Sequence, residues 1–175
     1  NAKLTVLYFG PNMFKLSRDG AQTAQRLMPL GVNLVLVDHR GSGGSSGTPS
    51  LALLEADALL IYDYVRDTLA VPPAQIVLHG LSLGSFMAAQ VALQRPVAAL
   101  VLEGSGTTVQ EWAQSGVPWY AKPIVRLDID PAIASKGTLA AVVHSQAPLL
   151  ILAGKQDKQA PWKMSQKLFD AASST

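Results

Sequence analysis

The chain has 175 residues, 49% hydrophobic and 15% charged, with a net charge of +2. This length fits one domain with a buried core, and the composition excludes a disordered polyelectrolyte. The small charge sits on scattered Lys and Arg, so nothing points to nucleic acid, and the lack of cysteine excludes disulfides and thiolate metal sites.

Short apolar runs alternate with amphipathic stretches. Leu4–Phe9 reads as a buried strand stopped by Gly10-Pro11-Asn12, and Ala21–Leu30 as a helix ended near Gly31. Leu34–Val37 is a second strand. It stops at Asp38-His39-Arg40, where a Gly/Ser-rich loop runs on to Pro49. Ser50 is placed to cap a helix in which Leu51, Leu54, Ala58, Tyr62, Val65 and Leu69 form one face. Pro72-Pro73 closes it. Then come a strand at Ile76–Leu78, an Ala-rich helix at Leu83–Leu93, strands at Val97–Leu102 and Leu149–Ala153, and a helix at Trp162–Ala172. Continuous apolar strands separated by helices predict an α/β fold with a mostly parallel sheet flanked by helices. In such a sheet ligands bind at the C-terminal ends of the strands. Residues 104–146 are less regular. They read either as a small cap or as an ordinary excursion, with Trp112, Trp119 and Tyr120 available to wall a pocket.

Gly80-Leu81-Ser82-Leu83-Gly84 is a G-x-S-x-G motif between a strand and a helix, the setting that motif requires. A serine on so tight a turn has strained backbone angles, and side chains two residues to either side would collide. Hence the glycines at 80 and 84. The turn exposes the Ser82 hydroxyl and aims the Leu83 N–H, at a helix start, toward a developing oxyanion.

With these residues in hand, the sequence resembles the α/β-hydrolase superfamily over nearly its whole length. The nearest subgroup resembles single-domain bacterial serine hydrolases of the prolyl-oligopeptidase and Bem46-like lineages. Four segments carry the likeness: Leu7–Met13 as the oxyanion loop, Asp38–Pro49 as the D-x-R-G-x-G-x-S-x-G-x-P loop, His79–Gly84 as the elbow, and Leu150–Gly154 with Asp157 and Pro161 as the acid-bearing strand and loop. The resemblance implies Ser82 as nucleophile and Asp157 as the acid that orients an imidazole, with Glu103 as a rival acid whose alternative role is a buried or capping carboxylate. Pro11 has no N–H, so the second oxyanion donor is expected from Met13, or else Asn12. The implied activity is cleavage of an ester or thioester through an acyl-enzyme, with a small-molecule acyl substrate and no metal or organic cofactor. An acyltransferase or peptidase with the same triad, or a non-catalytic binding protein, is the alternative.

One departure stands out. The family's base His follows the last strand, whereas His39, His79 and His144 all precede Asp157. His39 and His79 read as packing residues, and His144 lies at the wrong sheet position. The base is therefore expected beyond Thr175, with the fold apparently truncated at both ends. The start at Asn1, without Met and three residues before an apolar run, does not read as a signal peptide; the location is left unknown, with a cytoplasmic one favoured and any targeting segment expected to lie outside this chain. No apolar stretch reaches the roughly 18–20 residues needed to cross a bilayer.

Overall fold

The computed structural model describes residues 3–118, 120–121 and 124–172. Among them, five strands form one parallel sheet in the order β2-β1-β3-β4-β5: β1 is Thr5–Phe9, β2 Asn33–Leu36, β3 Ile76–Leu81, β4 Ala99–Glu103 and β5 Leu149–Leu152. Helices α1 (Leu16–Leu27), α2 (Leu51–Asp67), α3 (Leu83–Gln94) and α7 (Trp162–Ala171) connect or follow them, and α4 (Val109–Ser115), α5 (Pro131–Ala134) and α6 (Leu139–His144) lie between β4 and β5. The mostly parallel α/β architecture expected from the alternating pattern is the one observed. None of the described helices is long and apolar enough to cross a membrane.

The register explains the two cores. Leu7, Leu78 and Leu100 are direct neighbours across β1, β3 and β4, and with Phe9, Ile76 and Leu102 they face α2 and α3. Tyr8 lies beside His79 and Val101 on the opposite face, where Val6, Phe14 and Leu27 of the α1 side complete a smaller cluster. Helix α3 is buried at every position from Gly84 to Ala92. Such all-round apolar surroundings suit an Ala-rich sequence with no polar face.

Strand and helix ends shift by a residue or more in several places, and three regions differ most from the sequence pattern. Helix α1 starts at Leu16 rather than near Ala21, because its first turn is capped from a distance: the Leu16 N–H donates to Asp38 Oδ1 at 2.7 Å. The third strand runs to Leu81, into the glycine motif itself, since Gly80 and Leu81 still pair with Leu102 and Glu103. Helices α4 to α6 have no strong periodicity. A bridge between Thr108 and Gly137 stitches their segment together, and it is fastened to the core by Gln90 Nε2 donating to the Gly137 carbonyl at 3.0 Å and by a Lys136–Glu55 ion pair at 2.8 Å.

The tightest packing is where α3 crosses β1. A β-carbon on Gly84 would overlap the carbonyl of Phe9, and one on Gly80 would overlap the Gly84 carbonyl. Both obstacles are backbone and cannot step aside. Gly84→Ala is therefore expected to lower stability by at least about 1–3 kcal/mol, as overpacked cores do. Urea denaturation of the full-length protein measures this, and an unchanged midpoint would show that the contact is looser than described.

Candidate active site

Ser82 sits between β3 and α3 with φ 54° and ψ −116°, a backbone conformation rare for a non-glycine residue and costing on the order of 1–3 kcal/mol. The surroundings impose it. The Ser82 N–H donates to the Glu103 carbonyl at 2.9 Å, the Ser85 N–H donates to the Ser82 carbonyl at 2.9 Å, and the buried Ser85 hydroxyl donates to the carbonyls of Gly80 and Glu103. Leu83 is the first residue of α3, so its N–H has no acceptor within the helix.

Ser82 and Leu83 open onto a cavity of about 650 Å³. Leu51, Leu54, Phe86, Val109 and Trp112 give it apolar walls, and Asn12 and Met13 stand at its rim with Lys15 and Ser42. Such a mix of apolar wall and few polar groups is the usual form of a small-molecule site. Of the three aromatic residues expected to wall a pocket, Trp112 lines this one. Tyr120 is not among its lining residues, and Trp119 lies outside the described residues.

The loop after β1 places Asn12 and Met13. Pro11–Phe14 form a turn closed by the Phe14 N–H on the Pro11 carbonyl at 3.1 Å, and Met13 has φ 65°. That position of a turn favours glycine, so Met13 is held there by its neighbours. One is Arg18, whose guanidinium donates to the Met13 carbonyl at 2.9 Å.

Asp157 follows β5. Its Oδ1 accepts from the N–H groups of Gln159 and Ala160 at 2.8 and 2.9 Å, which fixes the loop. Its Oδ2 faces Gly104, where a β-carbon would stand 3.5 Å away. Gly104 directly follows β4 with φ 56° and also lines the Ser82 cavity, so Asp157 and Ser82 share one edge of the sheet.

Glu103 points elsewhere. Its Oε2 accepts from His79 Nε2 at 3.0 Å and its Oε1 pairs with Arg26 at 3.1 Å, on the α1 face of the sheet. The His79 hydrogen bond, helped by the Arg26 charge, holds its carboxyl below the usual glutamate range. Its main chain, not its carboxylate, meets the elbow. His79 is thus engaged with Glu103, the buried His39 has its Nε2 on the Gly10 carbonyl, and His144 is exposed at the end of α6. None of the three hydrogen-bonds Ser82 or Asp157 among the described residues.

Sequence reasoning missed the polar braces of the Asp38–Ser42 loop. Asp38 Oδ2 accepts the Gly44 N–H at 2.8 Å, and Arg40 makes a two-pronged contact with Asp57 of α2 at 2.8 and 2.5 Å. The motif Asp-x-Arg-Gly was the available signal. Among the described residues, no group of His, Asp and Glu is placed to hold a metal ion.

Because Glu103 titrates lower in the fold than in the unfolded chain, its contribution is present above the ordinary glutamate value of about 4.3 and is lost as pH falls through the lower folded-state value. Glu103→Gln is therefore expected to cost about 1–3 kcal/mol near neutrality and progressively less as pH falls from the ordinary glutamate value into the acid range. Denaturation curves of both proteins across that range read the gap, and a gap independent of pH contradicts the assignment.

Comparison with known proteins gives the family and the fold. The family model described as serine aminopeptidase, S33 matches residues 13–136. An uncharacterized protein of Mycobacterium tuberculosis is 38% identical over 152 residues, covering 87% of this chain and 52% of the relative. The lysophosphatidylserine lipase ABHD12 of Danio rerio is 30% identical over 162 residues, covering 83% of this chain and 41% of the relative. The chain thus spans about half the length of these curated relatives. Among solved structures, Est1E of Butyrivibrio proteoclasticus, with ferulic acid bound, superposes with a TM-score of 0.78 at 18% identity, covering 98% of this chain and 76% of that one. An α/β-hydrolase of Vibrio vulnificus gives 0.76 at 18% identity, with 98% and 64% covered. The chain belongs to the serine aminopeptidase S33 family, within the α/β-hydrolases.

Proposed function

We propose that this chain carries the nucleophile of a serine hydrolase that cleaves an ester or thioester through an acyl-enzyme on Ser82. The observation that carries the reading is the strained Ser82 backbone at the mouth of an apolar cavity, beside the first N–H of α3. A helix-start N–H is a good donor to an anion, and strain at a serine in a cleft is of use only if the hydroxyl must be presented.

In the reaction, Ser82 Oγ passes its proton to an imidazole and bonds to the substrate's carbonyl carbon. The carbonyl oxygen becomes an oxyanion and takes hydrogen bonds from the N–H groups of Leu83 and of Met13 or Asn12. The C–O or C–S bond breaks, the leaving group takes the proton, and the acyl group stays on Oγ. Water, deprotonated by the same imidazole, then attacks the acyl carbon; the bond to Oγ breaks, the acid leaves and the imidazole returns the proton to Ser82 Oγ. Asp157 orients the imidazole and stabilises its cation. We assign the imidazole to a histidine outside these 175 residues, since His39 and His79 are committed to other partners and His144 is exposed at the end of α6. The ester reading is supported by the name of the zebrafish relative, a lipase, and an amide substrate by the family's description.

The committed histidines favour one other reading, a binding protein that keeps the elbow without the chemistry. An acyltransferase, in which an alcohol replaces water, uses the same residues and differs in its acceptor. A fluorophosphonate probe and a p-nitrophenyl ester, used on the full-length protein, decide between chemistry and binding. Ser82 should label, Ser82→Ala should abolish labelling and lower turnover by at least about 10³, and Asp157→Asn should lower it by about 10²–10⁴. Labelling that survives Ser82→Ala, or a wild-type protein that neither labels nor turns over, would sink the reading.

A further inference from the structure

The loop after β2 fastens the loop after β1 at three points. His39 Nε2 lies 2.7 Å from the Gly10 carbonyl, Ser42 Oγ donates to the Phe14 carbonyl at 2.6 Å, and the Leu16 N–H donates to Asp38 Oδ1 at 2.7 Å. A carbonyl oxygen only accepts, so His39 Nε2 carries the proton and donates it. The ring is 5% exposed and its Nδ1 is buried with no partner among the described residues. A buried polar atom left unmatched is a cost. The residue therefore sits here for the one bond it makes, which a phenylalanine or leucine, with no donor, would not reproduce.

The bond's acceptor is what gives it consequence. Gly10 is the residue directly after β1, and its carbonyl orientation sets how the chain enters the Pro11–Phe14 turn. That turn holds Met13 at φ 65°, and both Asn12 and Met13 line the cavity containing Ser82. Met13 is 63% exposed, so its own packing does little to hold the turn. The restraint comes from the partners of the flanking carbonyls: His39 on Gly10, Arg18 on Met13 and Ser42 on Phe14.

We propose that His39 is a positioning residue for the oxyanion site: its Nε2–H, through the Gly10 carbonyl, fixes the loop that offers the Asn12 and Met13 N–H groups. The inference rests on the Ser82 hydrolase reading. His39 takes no proton from Ser82. It acts through the loop, so its loss weakens stabilisation of the transition state more than substrate binding.

The test uses the full-length protein with a p-nitrophenyl ester and compares wild type with His39→Phe, His39→Gln and Ser42→Ala. His39→Phe keeps a ring and removes the donor. It should lower kcat about tenfold to hundredfold with KM changed less than about threefold, since misplacing an oxyanion donor costs rate rather than ground-state binding. His39→Gln restores an N–H near the Nε2 position and should recover at least half of that loss on a logarithmic scale. The rate of fluorophosphonate labelling should fall in step with kcat. Ser42→Ala, which removes only the bond to the Phe14 carbonyl, should lower kcat in the same direction and decides the matter if His39→Phe does not fold. A kcat that holds in His39→Phe or, failing its folding, in Ser42→Ala overturns the inference. So does a glutamine variant as slow as the phenylalanine one. Ser82-dependent turnover indifferent to these changes sinks the inference alone, whereas turnover that is absent, or that survives Ser82→Ala, sinks the hydrolase reading and the inference with it.

Discussion

At Gly84 the first turn of α3 rests directly on the carbonyl of Phe9, with no room for a side chain between them. The contact joins the start of α3, just after Ser82, to the end of the neighbouring strand. It forces the abrupt reversal at Ser82, and it brings the chain leaving β1 alongside the hydroxyl. Without it α3 would stand off the sheet, and the Leu83 N–H would no longer share a cavity with Asn12 and Met13. The close approach needs glycine at both 80 and 84 because each faces main chain, which cannot rotate away.

Around this contact the fold uses polar groups as braces more than as reagents. The Glu103 main chain receives Ser82 and Ser85 while its carboxylate is held by His79 and Arg26 on the far side of the sheet. Asp38 caps α1 and folds its own loop back through Gly44, and Arg40 ties that loop to α2 through Asp57. The carboxylates of Glu103, Asp38 and Asp57 each accept at least one charged hydrogen bond, the stronger kind. The strain at Ser82 and Met13 is sustained because these neighbours leave the backbone no cheaper arrangement.

Much of this was legible in the sequence, for physical reasons that differ by element. The continuous apolar runs of β1, β3 and β4 could only be strands buried on both faces, and G-x-S-x-G between a strand and a helix located the elbow to the residue. Ser50 caps α2 as its side chain predicts, accepting from the Leu53 N–H at 3.2 Å. The start of α1 was not legible, because its cap is Asp38, 22 residues away. Nor were α4 to α6, which are held by contacts to Glu55, Gln90 and each other rather than by their own periodicity. The positions of Asp157 beside Gly104 and of Trp112 at the cavity wall follow from the parallel topology, which gathers the strand ends on one edge. The commitment of His39 to Gly10 had no sequence signal, since a histidine in a Gly-rich loop reads as packing until its acceptor is seen.

The most direct measurement of the central claim, that the elbow and the loop after β1 form one site around a reacting carbonyl, is a crystal structure of the full-length protein after reaction with a phosphonate ester. The expected result is phosphorus bonded to Ser82 Oγ, with the phosphoryl oxygen about 2.7–3.1 Å from the N–H of Leu83 and from that of Met13 or Asn12. An adduct on another residue, or one on Ser82 whose oxygen turns away from both backbone donors toward solvent, would contradict it.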